Sequence, residues 1–118
     1  MTHKMHVVQG TVSVDELKEL AKHMYGNLVK AVVDIEQELM VIDAELHADQ
    51  EEYLLEQYES QQSDLWGINL HPDKFGTTEF VEFDSMINMR PGEGNSSRSV
   101  ENPQIQKIIR AIVMKKVA

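Results

Sequence analysis

The sequence predicts a small α+β domain, in which an antiparallel sheet of about four or five strands is flanked by an N-terminal and a C-terminal helix. Three observations carry this prediction. A helix-start signal stands near each end of the chain, strand-like apolar runs lie between them, and the links between those runs are too short for crossover helices. With 118 residues, 42% of them apolar, the chain suits a single domain, residues 1–118, with its own core.

The chain opens with a short apolar piece, residues 6–8, and a helix over about residues 14–25. Ser13 followed by Glu16 is a capping box, in which each side chain satisfies an amide at the helix start. Gly26 suits the left-handed residue that closes a helix. The apolar face of this helix consists of Leu17, Leu20, Ala21 and Met24.

Residues 28–58 admit two interpretations. Apolar residues from Leu28 to Leu46 recur at alternating spacings of four and three, which suits a helix. The same stretch contains two short runs rich in β-branched residues, which suit strands, although neither Gly nor Pro marks a turn near Gln37. Residues 51–58 hold the same conflict, so both interpretations stay open at this point.

The second half of the chain predicts two further strands. Residues 65–70 form an apolar run that ends at His71 and Pro72, because proline cannot continue a strand interior. Residues 80–89 alternate between two sets of side chains. The mostly apolar set is expected to face the core, and it consists of Val81, Phe83, Ser85, Ile87 and Met89.

An exposed loop and a helix complete the predicted fold. Residues 91–101 contain two glycines and three serines and have no apolar residue before Val100, which is typical of an exposed loop. Asn102 then suits the N-cap of a helix, and Pro103 suits its first position. The buried face of this helix consists of Ile105, Ile108, Ile109, Ile112 and Val113.

Charge is distributed unevenly around a formal net value of −9 at pH 7. Twelve acidic residues and no Lys or Arg lie between Lys30 and Lys74, whereas four basic residues and no acid follow Asn102. An acidic chain is a poor general nucleic-acid binder, since that affinity comes from neutralising phosphates. The acidic stretch faces water, binds a cation or meets a basic segment of the same or a second copy, and we expect a homodimer.

Composition excludes other classes of protein. The chain has no cysteine, which removes disulfides, thiolate metal sites and cysteine nucleophiles. No run of about 18 apolar residues exists to span a membrane, and residues 1–6 lack the apolar core of a signal peptide. We therefore expect a soluble, cytoplasmic protein with no membrane partner.

Five runs along the chain are distinctive when taken together: residues 29–36, 45–49, 65–70, 82–91 and 94–98. They resemble a family of small, uncharacterised prokaryotic proteins that carries a domain-of-unknown-function label. The resemblance spans nearly the whole chain and implies no activity. Relatives often have glycine-containing turns where this chain has Glu36–Glu38 and Tyr58–Ser60, and the resemblance therefore favours strands over residues 29–57.

The strongest candidate for a binding site is the segment 84–98. Two of the three arginines in the chain, Arg90 and Arg98, lie there beside hydroxyl and amide donors. Such donors on a glycine-containing loop suit a phosphate or carboxylate, although both arginines also have local acids with which to pair. The anion-binding candidates are Asp84, Asn88, Arg90, Asn95, Ser96, Ser97 and Arg98.

The second candidate is a metal site around His47. On a strand, four alternate residues would place three carboxylates and an imidazole on one side, a set that suits Mg²⁺, Mn²⁺ or Zn²⁺. On a helix the four side chains would scatter and no site would form. A single histidine among solvated acids is the plainer interpretation, and no other cofactor is evident. The metal candidates are Asp43, Glu45, His47 and Asp49.

Three hypotheses of function follow, and none of them assigns a catalytic residue. The leading hypothesis is a small binding or interaction protein that recognises an anionic ligand through residues 90–98. The first alternative is a small metal-assisted hydrolase acting on a phosphate ester or nucleotide, which requires His47 and Arg98 in one cleft. The second alternative is an acidic regulatory protein that binds a basic protein partner through residues 34–64.

Overall fold

A computed structural model describes residues 5–118 of the chain. Residues 1–4 lie outside the described residues. They belong to the N-terminal stretch in which no signal peptide is expected. In chain order the elements are β1 (His6–Val7), α1 (Val14–Lys22), β2 (Val29–Asp34), β3 (Leu39–Ile42), α2 (His47–Gln57), β4 (Leu65–Leu70), β5 (Val81–Glu82) and α3 (Pro103–Lys116). No helix within this described part is long and apolar enough to cross a membrane.

The five strands form one antiparallel sheet in the order β1-β3-β2-β4-β5. Alternate residues of β2 point to opposite faces. Ala31 and Val33 pack in a larger core with α1 and α3, whereas Val32 packs in a smaller core with Leu54 of α2. The predicted α+β class with an N-terminal and a C-terminal helix is confirmed, and α2 adds a middle helix on the other face of the sheet.

Both terminal helices begin where their capping residues indicate. The Ser13 side chain accepts a hydrogen bond from the Glu16 amide at 3.1 Å, and the Asn102 side chain accepts one from the Gln104 amide at 2.8 Å. α1 ends at Lys22, three residues before the predicted end. Its last turn is closed by the amide of Gly26, which donates to the Ala21 carbonyl.

The structure resolves the two interpretations of residues 28–58 differently along the chain. Strands β2 and β3 confirm the strand interpretation for residues 29–42. Their turn needs neither Gly nor Pro, because Asp34 Oδ1 accepts hydrogen bonds from the amides of Glu36 and Gln37. Residues 47–57 form a helix, so the strands favoured there by the resemblance are wrong. The buried residues of α2 are His47, Gln50 and Leu54.

The predicted strand over residues 80–89 is confirmed only at Val81–Glu82 and is wrong beyond it. The chain leaves the sheet, and Ser85 caps a short 3₁₀ turn at Met86–Asn88 by accepting from the Ile87 amide. Burial follows the expected pattern at first and departs from it at the end of the segment, since Asn88 is 0% exposed whereas Met89, expected to face the core, is 43% exposed. This departure from the sheet positions the residues of the candidate site.

Candidate functional site

The structure divides the predicted anion-binding residues into a buried group and an exposed group. The side chains of Asn88, Arg90 and Asn95 are buried and hydrogen-bonded to backbone groups. Arg98 is exposed and pairs with Asp84. Residues 90–98 are therefore not an open cradle of donors, and Arg98 is the arginine of this loop that reaches the surface.

Arg90 is held inside the protein by its guanidinium plane. The group lies 4.2 Å from the centre of the Trp66 ring. Its Nε donates to the Ile87 carbonyl at 3.2 Å, and its Nη2 donates to the Leu65 carbonyl. Since the donors are directed at the backbone, Arg90 ties the 86–90 segment to the edge of β4.

Asn95 organises the loop that carries Arg98. Its Nδ2 contacts the carbonyls of Asn88, Ser97 and Ser99 at 2.7–3.1 Å, and its Oδ1 accepts from the Glu101 amide at 2.8 Å. The remaining hydroxyl candidates have local partners. Ser96 Oγ contacts Glu101, and Ser97 Oγ accepts from the Ser99 amide.

The Arg98–Asp84 pair is fixed at both its backbone and its side chains. Arg98 Nε donates to Asp84 Oδ1 at 2.6 Å. The Arg98 carbonyl accepts from the Ser85 amide at 3.0 Å and from Asn88 Nδ2 at 2.9 Å. Because Asp84 occupies the Nε edge, the two Nη groups keep donors for a further partner.

His47 is the first residue of α2 and is buried against β4. Its Nε2 lies 2.7 Å from the Ile68 carbonyl oxygen. A carbonyl only accepts, so Nε2 carries the proton of the neutral ring and Nδ1 carries the lone pair. Burial lowers the pKa of His47 from 6.5 to about 4, and the ring is therefore neutral near physiological pH.

Gly67 allows two side chains to pack onto β4 at the same place. A β-carbon at position 67 would lie 2.6 Å from both Cβ and Oγ of Ser85 and 3.2 Å from Cδ2 of His47. Ser85 follows Asp84 directly, so this close approach joins the Asp84–Arg98 pair to His47. Besides burial, the charges of Lys30 and Arg98 lower the pKa of His47, and the charge of Asp84 raises it.

Sequence reasoning missed two sheet residues of the site, Lys30 and Asn69. Lys30, Asn69 and Glu82 lie side by side in the register of β2, β4 and β5. Asn69 Nδ2 donates to Glu82 Oε1 at 3.0 Å, and His71 Nε2 lies 3.1 Å from the same oxygen. These contacts lower the pKa of Glu82. The one available signal was a polar side chain within each strand-like run.

The four predicted metal ligands do not meet. α2 begins at His47, so the alternation of a strand does not apply, and the ring of His47 faces β4. Asp43, Glu45 and Asp49 instead line a separate cavity of about 560 Å³ together with Glu52 and Glu56. Among residues 5–118, no group of three or more histidine and carboxylate side chains is placed to hold a metal ion.

Comparison with known proteins identifies the family of the chain. The family described as Protein of unknown function (DUF5674) matches residues 6–116, which confirms the resemblance drawn from five runs. No curated protein and no solved structure matches the chain. With nearly its whole length matched, the chain belongs to the DUF5674 family of proteins of unknown function.

Proposed function

We propose that this domain binds a small oxyanion, bearing a phosphate or carboxylate group, beside His47. The observation that carries the proposal is the convergence of two cations on one buried imidazole. The Lys30 carbonyl of β2 accepts from Gln50, which lies one turn after His47 in α2. Arg98 pairs with Asp84, and the next residue, Ser85, approaches Gly67 from the same side as the His47 ring. Both cations lower the pKa of His47. The leading hypothesis from the sequence is thereby narrowed from the whole 90–98 loop to Arg98.

Arg98 is prepared for bidentate recognition. Asp84 contacts its Nε edge, and backbone contacts hold its carbonyl, so part of the freedom of the residue is already lost before binding. The planar fork of a guanidinium matches two oxygens of a phosphate or carboxylate, which a lysine ammonium does not. In this proposal Asp84 is a positioning residue for Arg98.

Lys30 supplies the cation that the bound anion would balance. Asp84 already compensates Arg98, and Glu82 has Asn69 and His71 as partners. Lys30 Nζ lies 4.9 Å above the centre of the Tyr25 ring, and no carboxylate lies within ion-pair distance of it among the described residues. An anion between Lys30 and Arg98 would therefore give Lys30 an ion-pair partner.

The start of α2 adds weaker support. Its N-cap residue, Leu46, contributes no side-chain hydrogen bond, so the amides of the first turn keep donors that side chains cap in many helices. Such donors favour negative charge. His47 stands at this point and adds no positive charge of its own near neutral pH.

The test is a thermal-shift titration with phosphate at constant ionic strength. A ligand present at about a hundred times its dissociation constant adds about 2.7 kcal/mol to the stability of the fold. We expect Arg98→Gln to lose most of this stabilisation. Lys107→Gln removes the same unit of charge from an exposed position of α3 and is expected to keep it. Equal shifts in all three proteins, or no shift in the wild type, would contradict the proposal.

The first alternative, a metal-assisted hydrolase, requires a metal ligand set and Arg98 in one cleft. The charge of Arg98 lowers the pKa of His47, but the three carboxylates of the proposed metal set line the 560 Å³ cavity instead. Binding of an anion needs no such set, and the geometry therefore favours it. A homodimer and a basic protein partner stay predictions.

A further inference from the structure

We infer that the anion bound beside His47 carries its own O–H group next to its charge, as hydrogen phosphate and α-hydroxycarboxylates do. This inference rests on the proposed function and adds selectivity to it. The site would prefer hydrogen phosphate to sulfate, and glycolate to acetate, although the members of each pair are similar in shape.

The hydrogen of the neutral His47 ring lies on Nε2. Nε2 lies 2.7 Å from the carbonyl oxygen of Ile68, which has no hydrogen to give. The ring nitrogen is therefore the donor. A neutral imidazole carries one N–H, so Nδ1 is left as an acceptor and cannot donate.

The acceptor Nδ1 lies on the side of the His47 ring that faces away from β4. The ring turns its Nε2–Cδ2 edge to β4, because Nε2 contacts Ile68 and Cδ2 lies 3.2 Å from the β-carbon position of Gly67. Nδ1 is the ring atom opposite this edge. Its lone pair therefore points away from the strand, and it is the acceptor that we assign to the bound anion.

Two cations and one carboxylate influence the His47 ring. The charged side chains that act on His47 are Lys30, Asp84 and Arg98. The two cations attract both members of each pair through charge alone, but Nδ1 and the Asp84 carboxylate are acceptors. A fully deprotonated oxyanion would turn lone pairs toward them, whereas an anion with an O–H group donates a hydrogen bond there.

The experiment is a set of calorimetric titrations near neutral pH and at constant ionic strength. Phosphate is compared with sulfate, and glycolate with acetate, so that the two sources of an O–H group are distinguished. We expect the wild type to bind the O–H-bearing member of at least one pair about tenfold more tightly, the effect of about one hydrogen bond kept or lost. The pair that shows the larger ratio identifies the ligand class.

The matched variant is His47→Gln. The amide of glutamine can still donate to the Ile68 carbonyl, but the lone pair of Nδ1 is replaced by a carbonyl oxygen on a flexible chain, so the ring no longer fixes the acceptor. The ratio is expected to fall to about one in His47→Gln and to persist in Lys107→Gln. Should His47→Gln fail to fold, the ¹⁵N signal of Nδ1 in the wild type serves instead, and it is expected to move with phosphate and not with sulfate.

Each contrary outcome has a distinct meaning. Equal affinities within both pairs, with binding lost in Arg98→Gln, would overturn the inference and leave the proposed function standing. A ratio that persists in His47→Gln, together with an Nδ1 signal that phosphate does not move in the wild type, would overturn the role of Nδ1. Failure of all four anions to bind the wild type would overturn the proposed function and this inference together.

Discussion

Asn88 takes the place of a strand residue opposite Gly67. Its Oδ1 accepts from the Gly67 amide at 2.8 Å, and its Nδ2 donates to the Gly67 carbonyl at 3.0 Å. Asn69 pairs with Glu82, so a longer β5 would bring Asp84 to this position. The side chain of Asn88 satisfies both backbone groups of Gly67 instead, and Asp84 is free to hold Arg98.

Asn88→Ala should therefore destabilise the fold strongly. The substitution leaves two buried backbone groups of Gly67 without partners, and each such group costs about 1–3 kcal/mol. We expect the free energy of unfolding to fall by roughly 3 kcal/mol, measured by urea denaturation. Asn27→Ala, at an exposed position, is the control and should change little. A loss in Asn88→Ala no larger than in the control would contradict this account of the sheet edge.

Gly67→Ala should disturb the site and the fold together. The new methyl group would lie 2.6 Å from the Ser85 side chain, and overpacking of this kind costs typically about 1–3 kcal/mol. Gly92→Ala is a close control, because no atom lies within 4 Å of its β-carbon position. The double variant Gly67→Ala/Ser85→Gly should recover part of the loss in denaturant melts. No difference between Gly67→Ala and Gly92→Ala would show that the close approach is unimportant.

Arg90→Lys should cost stability although the charge is kept. Lysine cannot reproduce the flat contact with Trp66, nor can it donate to the Leu65 and Ile87 carbonyls in the same fork. We expect a loss of roughly 2 kcal/mol, since buried acceptors are left unpaired. Trp66 is the only tryptophan of the chain, so its fluorescence reports the melt. An unchanged midpoint in Arg90→Lys would contradict the structural role of Arg90.

Stability should fall as the pH is lowered through the titration range of His47. The pKa of His47 is about 4 in the fold against an ordinary 6.5, so the unfolded chain takes up a proton first. The stabilisation is complete above pH 6.5 and is lost toward pH 4, by roughly 3 kcal/mol at about 1.4 kcal/mol for each pKa unit. Lys30 and Arg98 oppose protonation of the ring, and Asp84 favours it.

The pH dependence is assigned to His47 by comparison with His47→Gln. The pKa of Glu51 is raised by burial, which works in the opposite direction, but this group is present in both proteins and cancels in the difference. The stability difference between wild type and variant, from urea melts, should shrink as the pH falls. A difference that is constant with pH would contradict the assignment.

Self-association should depend on salt if a second copy is a partner. α2 carries four acidic residues and no basic one, α3 carries four basic residues and no acid, and the two helices cover opposite faces of the sheet. A contact between α3 of one copy and α2 of another would join opposite charges head to tail, so that association can continue beyond two copies, and it would weaken as salt screens the charges. Light scattering at low and high salt measures this. A mass that stays monomeric at low salt would contradict the expected dimer.

The sequence predicts those elements whose signals are local. Ser13 with Glu16 and Asn102 with Pro103 start helices through contacts between near neighbours, and β4 ends at its proline as expected. A helix stayed open over residues 51–58, but the start of α2 was not predicted because two of its three buried side chains, His47 and Gln50, are polar. An apolar period is not visible in such a helix.

The candidate site was predictable only in its exposed half. Arg98 was conspicuous because arginine is rare in this chain, and Asp84 is one of the acids near it in the sequence. The nearness of Lys30 depends on strand register, and that of His47 on the close approach at Gly67, neither of which is a local property of the chain. The alternation after Val81 was misleading because the side-chain amide of Asn88, and not a longer β5, makes the hydrogen bonds to the backbone of Gly67.

The most direct test of the account is an amide NMR titration of the wild type with phosphate. We predict that the perturbed signals cluster at Lys30, at the start of α2 and around Asp84 and Arg98. The signals of Glu52 and Glu56, which line the acidic cavity, should stay in place, and Arg98→Gln should abolish the response. Perturbations confined to the acidic cavity or to α3, or an identical response in Arg98→Gln, would contradict the claim that an oxyanion binds beside His47.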